Sequence, residues 1–250
     1  MRLSNTRLLV VTLLACIGVL ATTGCKNAPG KPGAANEVVR PDQVTDFATL
    51  YGQNCAACHG ASGRNGAAIA LANPVYLAIA GVANIQRITA NGVTGTAMPP
   101  FSKAAGGMLT ENQIVILATG MESSWGNPSA VAGQTPPAFA SSGPGNSEKG
   151  AKEFAISCAR CHGIDASGRP ASNGVVTGSL IDPAYLAMIS NQGLRSIVIA
   201  GQTEQGAHDW RSYASGPITH PLTNAEIADI VAWLTSHRIA TPGQPYQQHE

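Results

Sequence analysis

The chain has 250 residues, of which 44% are hydrophobic and only 12% charged, with a formal net charge of +1. That suits a globular protein of one or two domains, and the near-neutral charge excludes nucleic acid as the main partner, since phosphate binding needs clustered Lys and Arg. Aromatic residues make up 5%, so two domains of roughly 80–90 residues would have thin cores unless something else fills them.

The first segment reads apart from the rest. Arg2 and Arg7 precede an apolar run, Leu8 to Thr23. The run is short of the ~20 residues of a membrane span and fits an export signal. It ends in "LATTGC", with Gly24 just before Cys25. This resembles a bacterial lipoprotein signal, which implies that Cys25 is lipidated and becomes the mature N-terminus. Thr22 departs from that pattern, because Leu is usual there. An ordinary cleaved signal and an uncleaved anchor are the alternatives. Each of the three places the rest of the chain outside the cytoplasm. Residues 1–24 are therefore read as signal peptide. Residues 25–43, rich in Gly, Ala, Asn and Pro, are read as a flexible tether.

Residues 44–125 form the first predicted domain. Phe47 and Tyr51 stand at i, i+4 ahead of "CAACHG", residues 55–60. "TAMPPF" carries Met98. Thr110 and Gln113 make a capping box. Behind it Ile114, Leu117, Ala118 and Met121 form one apolar helix stripe. Residues 126–146 hold Pro128, Pro136, Pro137 and Pro144 with almost no charge, and read as an interdomain linker.

Residues 147–240 repeat the pattern. Phe154 precedes "CARCHG", residues 158–163, and "ASGR" follows both cysteine motifs. "NPVYLAIA" returns as "DPAYLAMI", with Pro74 and Tyr76 opposite Pro183 and Tyr185. Thr223 and Glu226 make the second capping box, followed by Ile227, Ile230, Val231 and Leu234 as a stripe. Residues 241–250 are a tail. No segment alternates strongly with period two, so the fold class is all-α: two duplicated modules rather than a solenoid.

With Cys16 and Cys25 assigned to the signal, only Cys55, Cys58, Cys158 and Cys161 remain. Each pair is C-x-x-C followed by His, a c-type haem attachment signature. Two thiols on one helical turn can form thioethers to two haem vinyl groups, and the adjacent imidazole then lies under the iron. A porphyrin also supplies the bulk that the aromatic-poor sequence lacks. A thioredoxin-like redox pair would need a βαβ setting, and none is visible. A zinc site would have to unite pairs separated by the Pro-rich linker, and would leave the histidines unexplained.

Residues 44–240 resemble two tandem class I cytochrome c domains. The resemblance implies that Cys55 and Cys58 bind one haem c covalently, with His59 as proximal ligand. Cys158, Cys161 and His162 take the same roles for a second haem c. It also implies a distal Met, and Met98 stands in the expected Met-Pro context, with Met108 and Met121 as alternatives. In the second module the matching position falls on Ala207. His208 is one residue beyond it and His220 lies just before the last helix. Either would give bis-His ligation and a lower potential. The remaining possibility is an open iron. The family's close crossing of first and last helices pairs a small residue with an aromatic one. Gly150 with Trp233 fits that pairing. At the same positions of the first module Phe47 and Gly120 stand with the partners exchanged.

The expected function is electron carriage in a bacterial respiratory-type chain, between a donor complex and a terminal acceptor. A lipid anchor would hold the carrier at the periplasmic side of a membrane. The alternatives are a peroxidase-like diheme oxidoreductase working at an open second haem, and a haem subunit of a larger oxidase or dehydrogenase.

Overall fold

The computed structural model describes residues 30, 33, 38–170, 176–212 and 220–239. The signal segment 1–24, Cys25 and the tail 241–250 lie outside the described residues, as does most of the tether. The chain divides into two compact units, Met1–Gln43 and Val44–Glu250. The described part of the first holds one 3-10 turn, Pro41–Gln43. The remaining structure belongs to the second unit.

Helix α1 (Phe47–Asn54) starts where the Asp46 carboxylate accepts from Thr49 N and Oγ1, both at 2.7 Å. It runs into the single turn α2 (Ala56–His59), which Gly60 ends at φ +83°. Helix α3 (Pro74–Asn91) has Asn73 as N-cap and Pro74 in its first turn, and kinks at Gly81. Helix α4 (Glu111–Trp125) opens on the Thr110–Gln113 capping box. Its stripe Ile114, Leu117, Ala118 and Met121 is buried at 2% exposure or less. It packs on Leu50 and Tyr51 of α1 within one apolar cluster.

The second module follows the same plan. Helix α5 (Ser147–Ser157), capped by Asn146, leads into the single turn α6 (Ala159–His162). Helices α7 (Pro183–Met188) and α8 (Asn191–Ala200) replace the kinked α3. The break between them falls where Gly81 bends α3. Helix α9 (Asn224–Ser236) has the Thr223–Glu226 capping box and buries Ile227, Ile230, Val231 and Leu234. The modules differ in one added feature. Strands β1 (Arg169–Pro170) and β2 (Val176–Thr177) pair antiparallel between α6 and α7. The fold remains all-α apart from this two-residue ladder and isolated bridges. Among the described residues, no helix is long and apolar enough to cross a membrane.

The helix crossings are close in both modules. A β-carbon on Gly120 would stand 2.2 Å from Cδ2 of Phe47, and one on Gly150 would stand 1.9 Å from the Asp229 carbonyl oxygen and 2.9 Å from Cβ of Trp233. Trp233 in turn stacks on Phe154, with ring centroids 4.5 Å apart. Helix α4 continues past Gly120 to Trp125, so Gly120 is a contact residue and not a helix end.

The Pro-rich segment 126–146 joins the modules but is not loose. Arg195, 2% exposed, donates through Nε to the carbonyls of Ala138 and Phe139 at 3.1 Å. Its Nη2 bonds Ala138 O at 2.7 Å and also Asn224 Oδ1. Asn224 accepts from Ala138 N, and Asp229 from Asn146 N. Phe139 is buried against Tyr76 of the first module, centroids 6.5 Å apart. The segment is thus strapped to α8 and α9.

Candidate haem sites

In the first module the chain brings Cys55, Cys58 and His59 onto one turn. Cys55 N donates to Tyr51 O, and His59 N to Cys55 O. Cys55 is mostly covered and Cys58 is exposed. Burial pushes the Cys55 thiol up to about 11, and a neighbouring Cys58 charge adds to it. The same causes push Cys158 up to about 12, with Cys161 as its neighbour. Reactive thiols depend on a lowered pKa, which neither Cys55 nor Cys158 has. Among the described residues, no three His, Cys, Asp or Glu converge as a metal cluster.

His59 is 8% exposed, and its Nδ1 lies 2.8 Å from the Ile69 carbonyl oxygen. A carbonyl only accepts, so Nδ1 carries the proton and Nε2 keeps its lone pair for iron. Desolvation holds the His59 pKa below its ordinary value, which favours the neutral, ligating form. Tyr51 supports the same turn by donating to Gly60 O at 2.9 Å. A single turn that presents two thiols and an oriented neutral imidazole fits haem c.

The second site has the same frame with a looser imidazole. Phe154 replaces Tyr51 and has no hydroxyl to offer. His162 is half-buried, burial lowers its pKa, and its buried Nδ1 has no partner among the described residues. The β1–β2 hairpin lies between His162 and Pro183, where the first module has the loop carrying Ile69.

The distal loops hold the same register. Val93 N donates to Met98 O at 3.0 Å, and Gln202 N to Ala207 O at 2.9 Å. Gly92, at φ +65°, faces the backbone of Met98 to Pro100, and Gly201, at φ +70°, faces that of Ala207 and His208. Leu109 N bonds Phe101 O, and Leu222 N bonds Trp210 O. Ala207 therefore stands where Met98 stands, and His208 where Pro99 stands. Met98 is half-buried and His208 exposed. His220 is exposed, its Nδ1 2.9 Å from Pro221 O and its Nε2 3.6 Å from Glu226. Of the alternative thioethers, Met108 is 80% exposed and Met121 is 2% exposed in the α4 core.

Two supporting groups escape sequence reading. The Ile69 carbonyl is main chain, so its role as the His59 partner leaves no residue signal. Asn73 caps α3, and its second set of bonds, described below, is tertiary.

Two family models agree with this geometry. Residues 42–119 match the family model of cytochrome c oxidase, cbb3-type, subunit III, and residues 147–238 match that of cytochrome c. No curated protein matches the sequence. A chain of the Kuenenia stuttgartiensis reducing HAO-like protein complex superposes with a TM-score of 0.42 at 16% identity, covering 81% of this chain and 100% of its own. Each half is thus a haem-binding electron-transfer domain. The chain belongs to the c-type cytochromes, as a diheme protein of two tandem cytochrome c domains, with two covalent haem c groups at the Cys55/Cys58 and Cys158/Cys161 pairs.

Proposed function

We propose that the protein is an electron carrier of a bacterial respiratory-type chain, held at the periplasmic side of a membrane by a lipid on Cys25. The observation that carries the reading is the duplicated site: two C-x-x-C-H turns in one compact unit. When bound, the haems would supply one-electron chemistry. His59 and His162 would each hold an iron, with Met98 as the further ligand of the first and His208 or His220 of the second. Met98 would give the first haem the higher potential, because thioether ligation favours reduced iron. The partners are a donor complex and a terminal acceptor, and the anchor with its tether keeps the carrier near both at high effective concentration.

Carbon monoxide tests the carrier reading against a peroxidase-like oxidoreductase. A carrier with both irons six-coordinate binds it slowly or not at all, while rapid binding at one haem overturns the reading. Cys25→Ser tests the anchor: membrane association is lost if Cys25 carries lipid, and its persistence rejects the lipoprotein assignment.

A second reading has its own support. The first domain matches a family named for an oxidase subunit, which favours a haem subunit within a larger oxidase. Native electrophoresis of detergent-solubilised membranes with haem staining separates the two. A carrier migrates alone, and a subunit migrates with the oxidase.

A further inference from the structure

The two domains meet where the proximal loop of the first faces the distal loop of the second. Asn73 is the central group, 4% exposed. Its Oδ1 accepts from Val75 N at 2.9 Å and Tyr76 N at 3.2 Å, capping α3. Its Nδ2 donates to Ala200 O at 3.0 Å and Gly201 O at 3.2 Å, the terminal carbonyls of α8. One amide thus satisfies orphan groups at the start of one helix and the end of another. It also sets the positive end of α3 against the negative end of α8, a favourable pairing of dipoles.

The bonds run on in both directions. On the first-domain side, Ala72 N donates to Gly63 O, and the loop from Ile69 to Asn73 begins at the carbonyl that orients His59. On the second-domain side, Gly201 lies against the backbone of Ala207 and His208. Arg64 reinforces the junction, donating to Ala72 O and to Glu204 Oε1, each at 2.6 Å. Glu204 belongs to the 3-10 turn Thr203–Gln205 of the distal loop.

We propose that Asn73 is a positioning residue for electron exchange between the two domains, fixing the proximal loop of the first on the distal loop of the second. The step is a one-electron exchange in which one domain is oxidised from ferrous to ferric as the other is reduced from ferric to ferrous. No bond forms or breaks. The proposal rests on the electron-carrier reading. Arg64 and Glu204 have side chains 39% and 19% exposed, so salt weakens their pairing. The buried Asn73 bonds do not depend on ionic strength, and they carry the alignment.

The test is the rate of intramolecular exchange after flash photoreduction of the purified diheme protein, with small-angle scattering and the haem spectra as controls. Asn73→Asp keeps an oxygen to cap α3 but turns a carboxylate toward two carbonyls. Electron exchange weakens as the two sites move apart, and the expected result is a several-fold loss of exchange rate, with both haem spectra unchanged. Asn73→Ser, which caps but cannot reach α8, gives the same loss and serves if the Asp variant does not fold. Exchange at the wild-type rate in both variants overturns the proposal while leaving the carrier reading intact. A wild-type protein that shows no exchange at all overturns the carrier reading itself. Loss of exchange in wild type on adding salt alone places the alignment in the Arg64–Glu204 pair and also overturns the role given to Asn73.

Discussion

The Phe47 ring lies across Gly120 at a distance that leaves no room for a methyl group, 2.2 Å from the place a β-carbon would take. The second module solves the same crossing with Gly150 on the first helix and Trp233 on the last, and there the obstacle is the Asp229 carbonyl oxygen at 1.9 Å. A ring can rotate away, whereas a helix backbone has to move as a whole. Gly150→Ala is therefore expected to destabilise more than Gly120→Ala, by about 3 kcal/mol against about 1 kcal/mol. Phe47→Gly is expected to cost about 3–5 kcal/mol by opening a cavity against Tyr51 and Trp125. Denaturant unfolding of the four proteins checks the order. Equal costs for the two alanines would show that the α5–α9 crossing relaxes as easily as the α1–α4 crossing.

The exchanged pair was legible because the cysteine motifs and the capping boxes fix the register of both helices. Stripes such as Ile227, Ile230, Val231 and Leu234 were legible for the same reason: they repeat with the helix period. What remained hidden is tertiary or main-chain. The Arg195 bonds to the Ala138 and Phe139 carbonyls have no period, so residues 126–146 read only as a linker although they are strapped down. The β1–β2 hairpin has two residues per strand, too few to show alternation. The Ile69 carbonyl leaves no mark in the sequence at all. The cysteine pairs announced themselves through spacing alone, but the different settings of His59 and His162 needed coordinates.

The shared register of Met98 and Ala207 makes a gain-of-ligand experiment possible. Ala207→Met places a thioether where the first domain has one. It is expected to raise the second haem's potential by on the order of 0.1 V, within the roughly 0.8 V that axial ligation spans. The reciprocal change Met98→His lowers the first haem's potential and leaves the second unmoved. Potentiometric titration of both variants checks this. An unchanged second potential in Ala207→Met would mean that His208 or His220 already holds the iron too tightly to be displaced.

The linker strap gives a separate handle on stability. Arg195 is almost fully buried, and burial pulls its pKa below the usual guanidinium value. Arg195→Met keeps much of the volume but strands the Ala138 carbonyl, while Phe139 O keeps Gln192 Nε2 and Asn224 Oδ1 keeps Ala138 N. A stranded buried group costs about 1–3 kcal/mol, and a loss in that range is expected. Limited proteolysis then cuts within 126–146 in the variant and not in wild type. Resistance of the variant to cleavage would show that Phe139, packed on Tyr76, holds the segment by itself.

Alkaline pH should act through Tyr76. Its phenol is 6% exposed and packed against the Phe139 ring, and burial pushes its pKa up to about 12, above the usual tyrosine value of about 10. The charged form is disfavoured in the folded protein, so the unfolded chain releases this proton first. Stability is thus full below pH 10 and falls as the pH climbs from there toward 12, by about 2–3 kcal/mol for this group. Tyr76→Phe keeps the ring contact and removes the ionisation. Its stability is expected to decline less steeply over that window, while Tyr51, also raised to about 12, titrates in both proteins. Denaturant melts at pH 9, 10 and 11.5 give the slopes. If the two proteins lose stability in parallel, the Tyr76 hydroxyl reaches solvent without unfolding and the assignment of alkaline sensitivity to it is wrong.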